Sequence, residues 1–234
     1  MTQAMVLAGL HKLTAIDYPG LAGATVFTQG CNFRCPYCHN QQLISRKAVP
    51  SLPVQEALDF LRKRAGLLDA LIVSGGEPTL QPGLAGFCRE AKALGYKIKI
   101  DSNGSRPEVL QRLLDAGLVD YIAMDVKTPA REYARLCPEA DVGGAVLRSA
   151  ALIRESGIEH EFRTTCVSPF VGPRNAGDFL ALVGDASLWY LQKATVDGVM
   201  AGRGLSALSR NDMKTLAANS ATVRSHAARI RGEA

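Results

Sequence analysis

Cys31-Asn-Phe-Arg-Cys35-Pro-Tyr37-Cys38 is the stretch from which the fold of this 234-residue chain is read. Three thiols stand in a CxxxCxxC spacing with no fourth cysteine close by. Thiolates are soft ligands that favour iron–sulfur clusters, zinc or Cu(I). Closed electron-transfer clusters normally take four cysteines. Three therefore leave one iron open, and an open iron can bind and activate a small molecule. A zinc knuckle from Cys31, Cys35, Cys38 and His39 fits less well. Cys38 and His39 are neighbours, and zinc sites usually pair two separated ligand clusters. A disulfide framework fits least, because three clustered thiols cannot pair among themselves and a chain of this size needs no staples.

Composition sets the background. Hydrophobic residues make up 47% of the chain and charged residues 21%, a globular balance. The net charge of +5, from 27 basic and 22 acidic residues, is too mild to argue for nucleic acid. Arg62-Lys63-Arg64 on an expected helix, and Arg224, Arg229 and Arg231 near the end, read as solvated helix faces. A weakly basic surface also suits an acidic electron donor. No apolar run is long enough to span a bilayer, and the first residues lack the pattern of a signal peptide. The expectation is a cytoplasmic protein with reduced thiols, acting on neither membrane nor nucleic acid.

Along the chain, short apolar runs alternate with amphipathic stretches. Strands are expected at Ala24–Phe27, Leu68–Val73, Lys97–Ile100, Val119–Met124, His160–Thr165 and Leu188–Leu191. Helices are expected at Val54–Arg64, Gly83–Leu94, Pro107–Ala116, Ala130–Glu155 and Asn175–Val183, with one or two more from Leu205 to Ile230. Alternation of this kind means a parallel sheet of right-handed βαβ units. Six units are fewer than a closed eight-stranded barrel needs. The expected fold class is therefore α/β, an open (β/α)6 partial TIM barrel in a single domain. Residues 1–21 form a leader against its edge, residues 22–200 the barrel and 203–234 a helical tail.

Polar residues fall where such a fold places chemistry, at the C-terminal ends of strands. The first strand runs into the cysteine loop. The next ones end in Ser74-Gly75-Gly76-Glu77-Pro78, Asp101-Ser102-Asn103-Gly104, Asp125-Val126-Lys127, Arg163-Thr164-Thr165 and Gln192-Lys193. Strands end in turns and turns are polar, so part of this pattern is trivial. The charges of Asp101, Asp125, Lys127 and Arg163 are less so, since charges brought together at one mouth are costly without a charged ligand. Gly75 and Gly76 allow a close backbone approach, and Glu77 supplies an acceptor.

These motifs resemble the radical S-adenosylmethionine (SAM) superfamily. Asp17-Tyr-Pro-Gly20, Cys31 to Asn40, Ser74 to Pro78, Asp101 to Gly104 and Met124 to Lys127 are together similar to glycyl-radical-enzyme activating proteins. Within that group the chain resembles the activating proteins of anaerobic ribonucleoside-triphosphate reductase and, more widely, pyruvate formate-lyase activating enzyme. The likeness runs from Ile16 to Lys193. It implies a radical SAM type barrel with a [4Fe–4S] cluster on Cys31, Cys35 and Cys38. SAM would meet Tyr37, Cys38 and His39, with Gly75, Gly76 and Glu77 at its amino group, Asp125, Val126 and Lys127 at methionine or ribose, and Asp101 nearby. A monovalent cation beside the SAM carboxylate is implied at Asp101, Ser102 and Asp125, with Ser102 replacing a threonine. A histidine that the relative uses late in the barrel has no counterpart at His160 or His226, and Arg163 or Gln192 is the candidate substitute.

The implied reaction is reductive cleavage of SAM and removal of a glycine Cα hydrogen from a partner enzyme. Electrons would come from a flavodoxin- or ferredoxin-type donor. Only Asn40 to Ala70 separates Cys38 from the second strand, which leaves no room for the ferredoxin-like insert of many such activators. Cys88 and Cys137 read as structural, whereas Cys166 is expected near the barrel mouth and exposed. Two other readings stand beside this one. A small-molecule radical SAM enzyme resembling 7-carboxy-7-deazaguanine synthase would need a closed pocket. A non-enzymatic iron–sulfur or zinc module would not cleave SAM.

Overall fold

The structure is a computed structural model that describes residues 5–45, 51–185, 188–195, 204–221 and 228–231. Two compact units emerge from the contacts. The first comprises residues 1–32, 40–102 and 108–122, and the second residues 33–39, 103–107 and 123–234.

In the first unit the strand order is β1 (Leu7–Tyr18), β2 (Leu21–Thr28), β3 (Ala70–Gly75) and β4 (Lys97–Ser102). β2, β3 and β4 run parallel, with Val26 opposite Val73 and Val73 opposite Ile100. Ala70, Leu71, Ile72 and Val73 are all fully buried, as befits a strand covered on both faces. Helix α1 (Val54–Arg64) buries Ala57, Leu58 and Leu61 on one stripe and turns Arg62 outward to Asp59 and Glu90. Helices α2 (Leu84–Ala93) and α3 (Pro107–Asp115) follow β3 and β4, α3 entering this unit at Glu108. The leader differs from expectation. It is a twelve-residue strand, β1, paired antiparallel with β2 and irregular in register. Its period is blurred by those register shifts, which is why it does not read as a strand.

Strand β5 (Tyr121–Asp125) begins in this unit, where the Asp120 N–H donates to the Ile98 carbonyl. It ends in the second unit, where the Val126 N–H donates to the Arg163 carbonyl. There β6 (Glu159–Ser168) pairs parallel with β7 (Trp189–Lys193), with Phe162 opposite Trp189. Trp189 stacks on Phe179 of helix α5 (Ala176–Val183) with centroids 5.8 Å apart. Expected helix Ala130–Glu155 is two elements, a 3₁₀ turn at Ala130–Arg135 and helix α4 (Val142–Glu155). Pro138 lies between them, and Asp141 takes a left-handed φ of 52° at the start of α4. The tail is also less helical than its composition suggests. Strand β8 (Ser206–Ala207) pairs antiparallel with β6, helix α6 spans Arg210–Ala221, and strand β9 (Arg229–Ile230) pairs parallel with β7. Arg231 is therefore not on a solvated helix. It stacks on Tyr190 and pairs with the buried Glu161 at 3.2 Å. Arg224 and His226 lie outside the described residues.

Candidate active site

In the first unit the site is a set of strand ends. β2 leads into Gln29 and Gly30, whose N–H groups donate to Val6 and Leu43 carbonyls, and the Cys31 N–H donates to Ile44. The root of the cysteine loop is thus pinned by backbone bonds. β3 ends in the glycine pair, and both glycines serve this root. The Gly76 N–H donates to the Thr28 carbonyl at 2.9 Å and the Glu77 N–H to the Gly30 carbonyl at 2.8 Å. A Cβ on Gly75 would stand 2.6 Å from the Thr28 oxygen, and Gly75 has a φ of 110°. A Cβ on Gly76 would collide with the Gly30 carbonyl. The close approach that calls for glycine here is made by the protein's own chain.

Glu77 is 1% exposed and caps the turn that follows. Its Oε1 accepts from the Thr79 N–H at 3.0 Å, the Thr79 hydroxyl at 2.5 Å and the Ser102 hydroxyl at 2.9 Å. At the end of β4, Asp101 accepts the Ser74 hydroxyl at 3.0 Å and the Lys99 ammonium at 2.7 Å. Lys99 has a side chain only 3% exposed and rests over the Tyr121 ring. Nothing in the motif pattern points to Lys99, which reads as an ordinary polar residue of a strand. Its position two residues before Asp101 puts both on one face of the strand, and that spacing is the signal that could have found it.

The second unit carries the other expected residues. Residues 33–39 of the cysteine loop belong to it. The Arg34 N–H donates to Leu136, and the Cys38 N–H closes a turn onto Cys35 at 3.1 Å. Cys35 is buried, which pushes its thiol up to about 11, with Lys127 pulling the other way. Cys38 is half-buried and His39 exposed. Tyr37 is buried edge-on against Phe170 and donates its hydroxyl to the Lys127 carbonyl at 3.3 Å.

The segment Asp125-Val126-Lys127 is held at every peptide. The Val126 carbonyl accepts the Thr164 hydroxyl at 2.8 Å, and Thr164 accepts the Trp189 indole N–H at 2.9 Å. The Lys127 N–H donates to the Tyr133 hydroxyl at 3.1 Å. Val126 itself is fully buried. Tyr133 and Trp189 are not among the expected site residues, because Tyr133 bonds a peptide group and Trp189 acts through the Thr164 hydroxyl, and neither lies in a local motif. The Asp125 carboxylate takes Arg163 Nε at 2.8 Å and Lys127 Nζ at 3.0 Å. Burial alone would raise its pKa, but the Arg163 guanidinium and the Lys127 ammonium hold it well below the usual carboxylate range.

Asp101, Asp125, Lys127 and Arg163 do not wait for a charged ligand to neutralise them. Asp101 is paired with Lys99 in the first unit, and Asp125 with Lys127 and Arg163 in the second. Arg163, a candidate substitute for the missing histidine, already serves Asp125 and lies 3.9 Å from Glu161. Gln192 sits in β7, half-buried. His160 begins β6 at the opposite end from the polar rim and packs on Phe162. Cys166 is not exposed. β6 runs on to Ser168, so Cys166 lies inside the strand at 0% exposure, and burial pushes its thiol up to about 12.

Cys31, Cys35 and Cys38 are all free thiols, with Cys31 and Cys38 half-buried and Cys35 buried. Their donor chemistry fits an iron–sulfur cluster. The family model of the radical SAM superfamily matches residues 25–186. The chain belongs to this superfamily. It is 34% identical over 195 residues to a Methanocaldococcus jannaschii protein provisionally named a glycyl-radical enzyme activating enzyme, covering 80% of this chain and 79% of that one. It is 34% identical over 137 residues to the pyruvate formate-lyase-activating enzyme of Listeria monocytogenes, covering 52% of this chain and 54% of that one. Among solved structures, SuiB of Streptococcus suis bound to S-adenosylmethionine aligns with a TM-score of 0.65 at 13% identity, covering 88% of this chain and 48% of that one. The last likeness supports the α/β partial-barrel fold of this radical SAM enzyme. Among the described residues no helix is long and apolar enough to cross a membrane.

Proposed function

We propose that this protein is a radical SAM activating enzyme that places a glycyl radical on a partner enzyme. The observation that carries the reading is the 34% identity to an activating-enzyme relative across 80% of the chain, joined to the CxxxCxxC thiols. The partner favoured by the motifs is anaerobic ribonucleoside-triphosphate reductase. A flavodoxin- or ferredoxin-type protein in a reducing, cytoplasmic setting would supply the electron.

Cys31, Cys35 and Cys38 would hold a [4Fe–4S] cluster and leave one iron open for SAM. When bound, cluster and SAM together supply one-electron cleavage of the sulfonium and the hydrogen-abstracting radical. The chain's own residues bind, orient and exclude water. Tyr37, Cys38 and His39 would line the adenosyl part. Gly75 and Gly76 offer carbonyl groups to the methionyl ammonium, since the N–H groups of Gly76 and Glu77 are already bonded to Thr28 and Gly30. Lys127 and Arg163 offer cations on a fixed frame. Asp125 keeps both side chains in place and is the acceptor for a ribose hydroxyl or the ammonium. No side chain has to move a proton, so the protein's contribution is orientation and a dry setting.

The test is electron paramagnetic resonance. Reduced, reconstituted protein is incubated with SAM and the glycyl-radical enzyme of the same cell. A doublet-like glycyl signal is expected. SAM cleavage without that signal in any such enzyme rejects the activating role and leaves a small-molecule reaction in its place.

A further inference from the structure

In the second unit a series of paired charges alternates in sign: Lys127, Asp125, Arg163, Glu161 and Arg231. Lys127 and Arg163 share Asp125. Arg163 Nη1 lies 3.9 Å from Glu161 Oε1, and Arg231 Nη2 donates to that same oxygen at 3.2 Å. Glu161 and Arg163 stand two positions apart on β6 and so share a face of the strand. Arg231 comes from the tail, beyond every motif in the sequence. Several bonds bring it there. The Ser220 hydroxyl of α6 accepts the Ala228 N–H at 3.3 Å, β9 pairs with β7, and the Arg231 N–H donates to the Leu191 carbonyl at 2.9 Å. The guanidinium then lies 4.9 Å from the centre of the Tyr190 ring, and Tyr190 is the register partner of Arg163.

We infer that Arg231 is a positioning residue for SAM binding: by holding Glu161 it leaves Arg163 to Asp125. The inference rests on the reading that Asp125, Lys127 and Arg163 frame the bound SAM, and it adds to that frame a residue that no motif marks. The distances separate the two arginines. The Glu161 side chain is only 3% exposed, and a carboxylate buried so far is almost never found unpaired. Arg231 meets it within hydrogen-bonding distance, whereas Arg163 does not. Without Arg231, Glu161 still faces Arg163. A movement of about 1 Å closes that 3.9 Å gap to a hydrogen bond, and it draws Nε away from the Asp125 oxygen that it now meets at 2.8 Å. Arg163 is then shared between two carboxylates, and the frame around Asp125 loses its geometry. A binding constellation tolerates displacements of about 0.5 Å, so a shift of that size is felt at the ligand.

Calorimetric titration of SAM into the cluster-loaded protein tests this. Arg231→Met keeps apolar bulk over Tyr190 and removes the charge. It is expected to weaken SAM binding about 5-fold or more. Adding Glu161→Gln to that variant removes the anion that competes for Arg163. The double variant should return to within about twofold of the wild-type affinity, whatever its melting temperature. A tail that only stabilises the sheet edge would not give that recovery. Arg231→Met with wild-type SAM affinity, or a double variant as weak as the single one, overturns the inference and leaves the radical SAM reading intact. Should Arg231→Met fail to fold, Arg231→Gln, which keeps a donor for Glu161, takes its place with the same outcomes. A second readout needs no SAM. Arg231→Met and Asp125→Asn should be non-additive by a factor of about 2 or more in the urea unfolding constant, and strict additivity overturns the inference as well. Wild-type protein that binds no SAM when loaded sinks the radical SAM reading and this inference with it.

Discussion

The Arg163 guanidinium donates to one Asp125 oxygen at 2.8 Å while the Lys127 ammonium donates to the other at 3.0 Å. One anion therefore separates two cations that would otherwise repel. Asp125→Asn removes the charge but not the shape. Losing a hydrogen-bonded charge of this kind costs about 1.5–3 kcal/mol, and the lower end applies because Asp125 is 32% exposed and screened. The pH dependence has a definite sign. A depressed carboxylate contributes stability that is present above its unfolded pKa of about 4 and lost as pH falls through the lower folded value. The deficit of Asp125→Asn should thus be full at neutral pH and shrink well below pH 4. Urea melts across that range measure it. A deficit that grows on acidification would mean that Asp125 is not the charged partner.

Gly76 separates a ligand-binding role from a structural one. If the glycine existed only for SAM, Gly76→Ala would weaken SAM binding and spare the cluster. Its Cβ instead meets the Gly30 carbonyl, next to Cys31 in sequence. The expected outcome is lower iron per chain and a lower melting temperature as well as weaker SAM binding. Gly9→Ala is the control, since a Cβ there meets nothing within 4 Å. Full iron content in Gly76→Ala would return the glycine to the ligand.

The six cysteines divide by environment. Cys31→Ala, Cys35→Ala or Cys38→Ala should each abolish the cluster, because two thiolates cannot hold it. Cys88 and Cys166 are fully buried with thiols pushed up to about 12, and Cys137 is buried and raised too. Alanine at any of these three should leave iron content unchanged. Iron and sulfide analysis after anaerobic reconstitution reads both arms, and loss of iron from Cys166→Ala would reopen that residue as a ligand.

Much of this was legible in the sequence, and the reasons differ by residue. The strand cores were readable because Leu71, Ile72 and Val73 are buried on both faces and carry no polar residue. The cysteine triad stands out because its three thiols lie within eight residues of the chain. The ends of β6 and the tail were not, since Cys166 and Val167 continue a strand whose partner β8 comes some forty residues later and is two residues long. Lys99 was missed because a lysine in a strand looks solvated until its partner is known. Tyr133 bonds a peptide group, and Trp189 acts through the Thr164 hydroxyl, so no motif of neighbouring residues marks either of them.

The two tyrosines on Lys127 give the last prediction. Tyr37 donates to the Lys127 carbonyl, and the Lys127 N–H donates to Tyr133. Both faces of one residue's backbone are gripped, one by the cysteine loop and the other by the turn after β5. Removing either hydroxyl should cost about 0.5–1.5 kcal/mol, a normal value for a neutral hydrogen bond. The two losses should not add. Once one grip is gone the Lys127 peptide can shift, and the other bond is worth less. A double-mutant cycle with Tyr37→Phe and Tyr133→Phe, read by urea unfolding, should show coupling of about 0.5 kcal/mol or more. SAM affinity should fall in Tyr133→Phe while iron content stays at the wild-type level, because the Tyr133 hydroxyl bonds the Lys127 N–H and not a thiol. Strict additivity would show that the hydroxyls act separately, and that the cysteine loop is not held through Lys127.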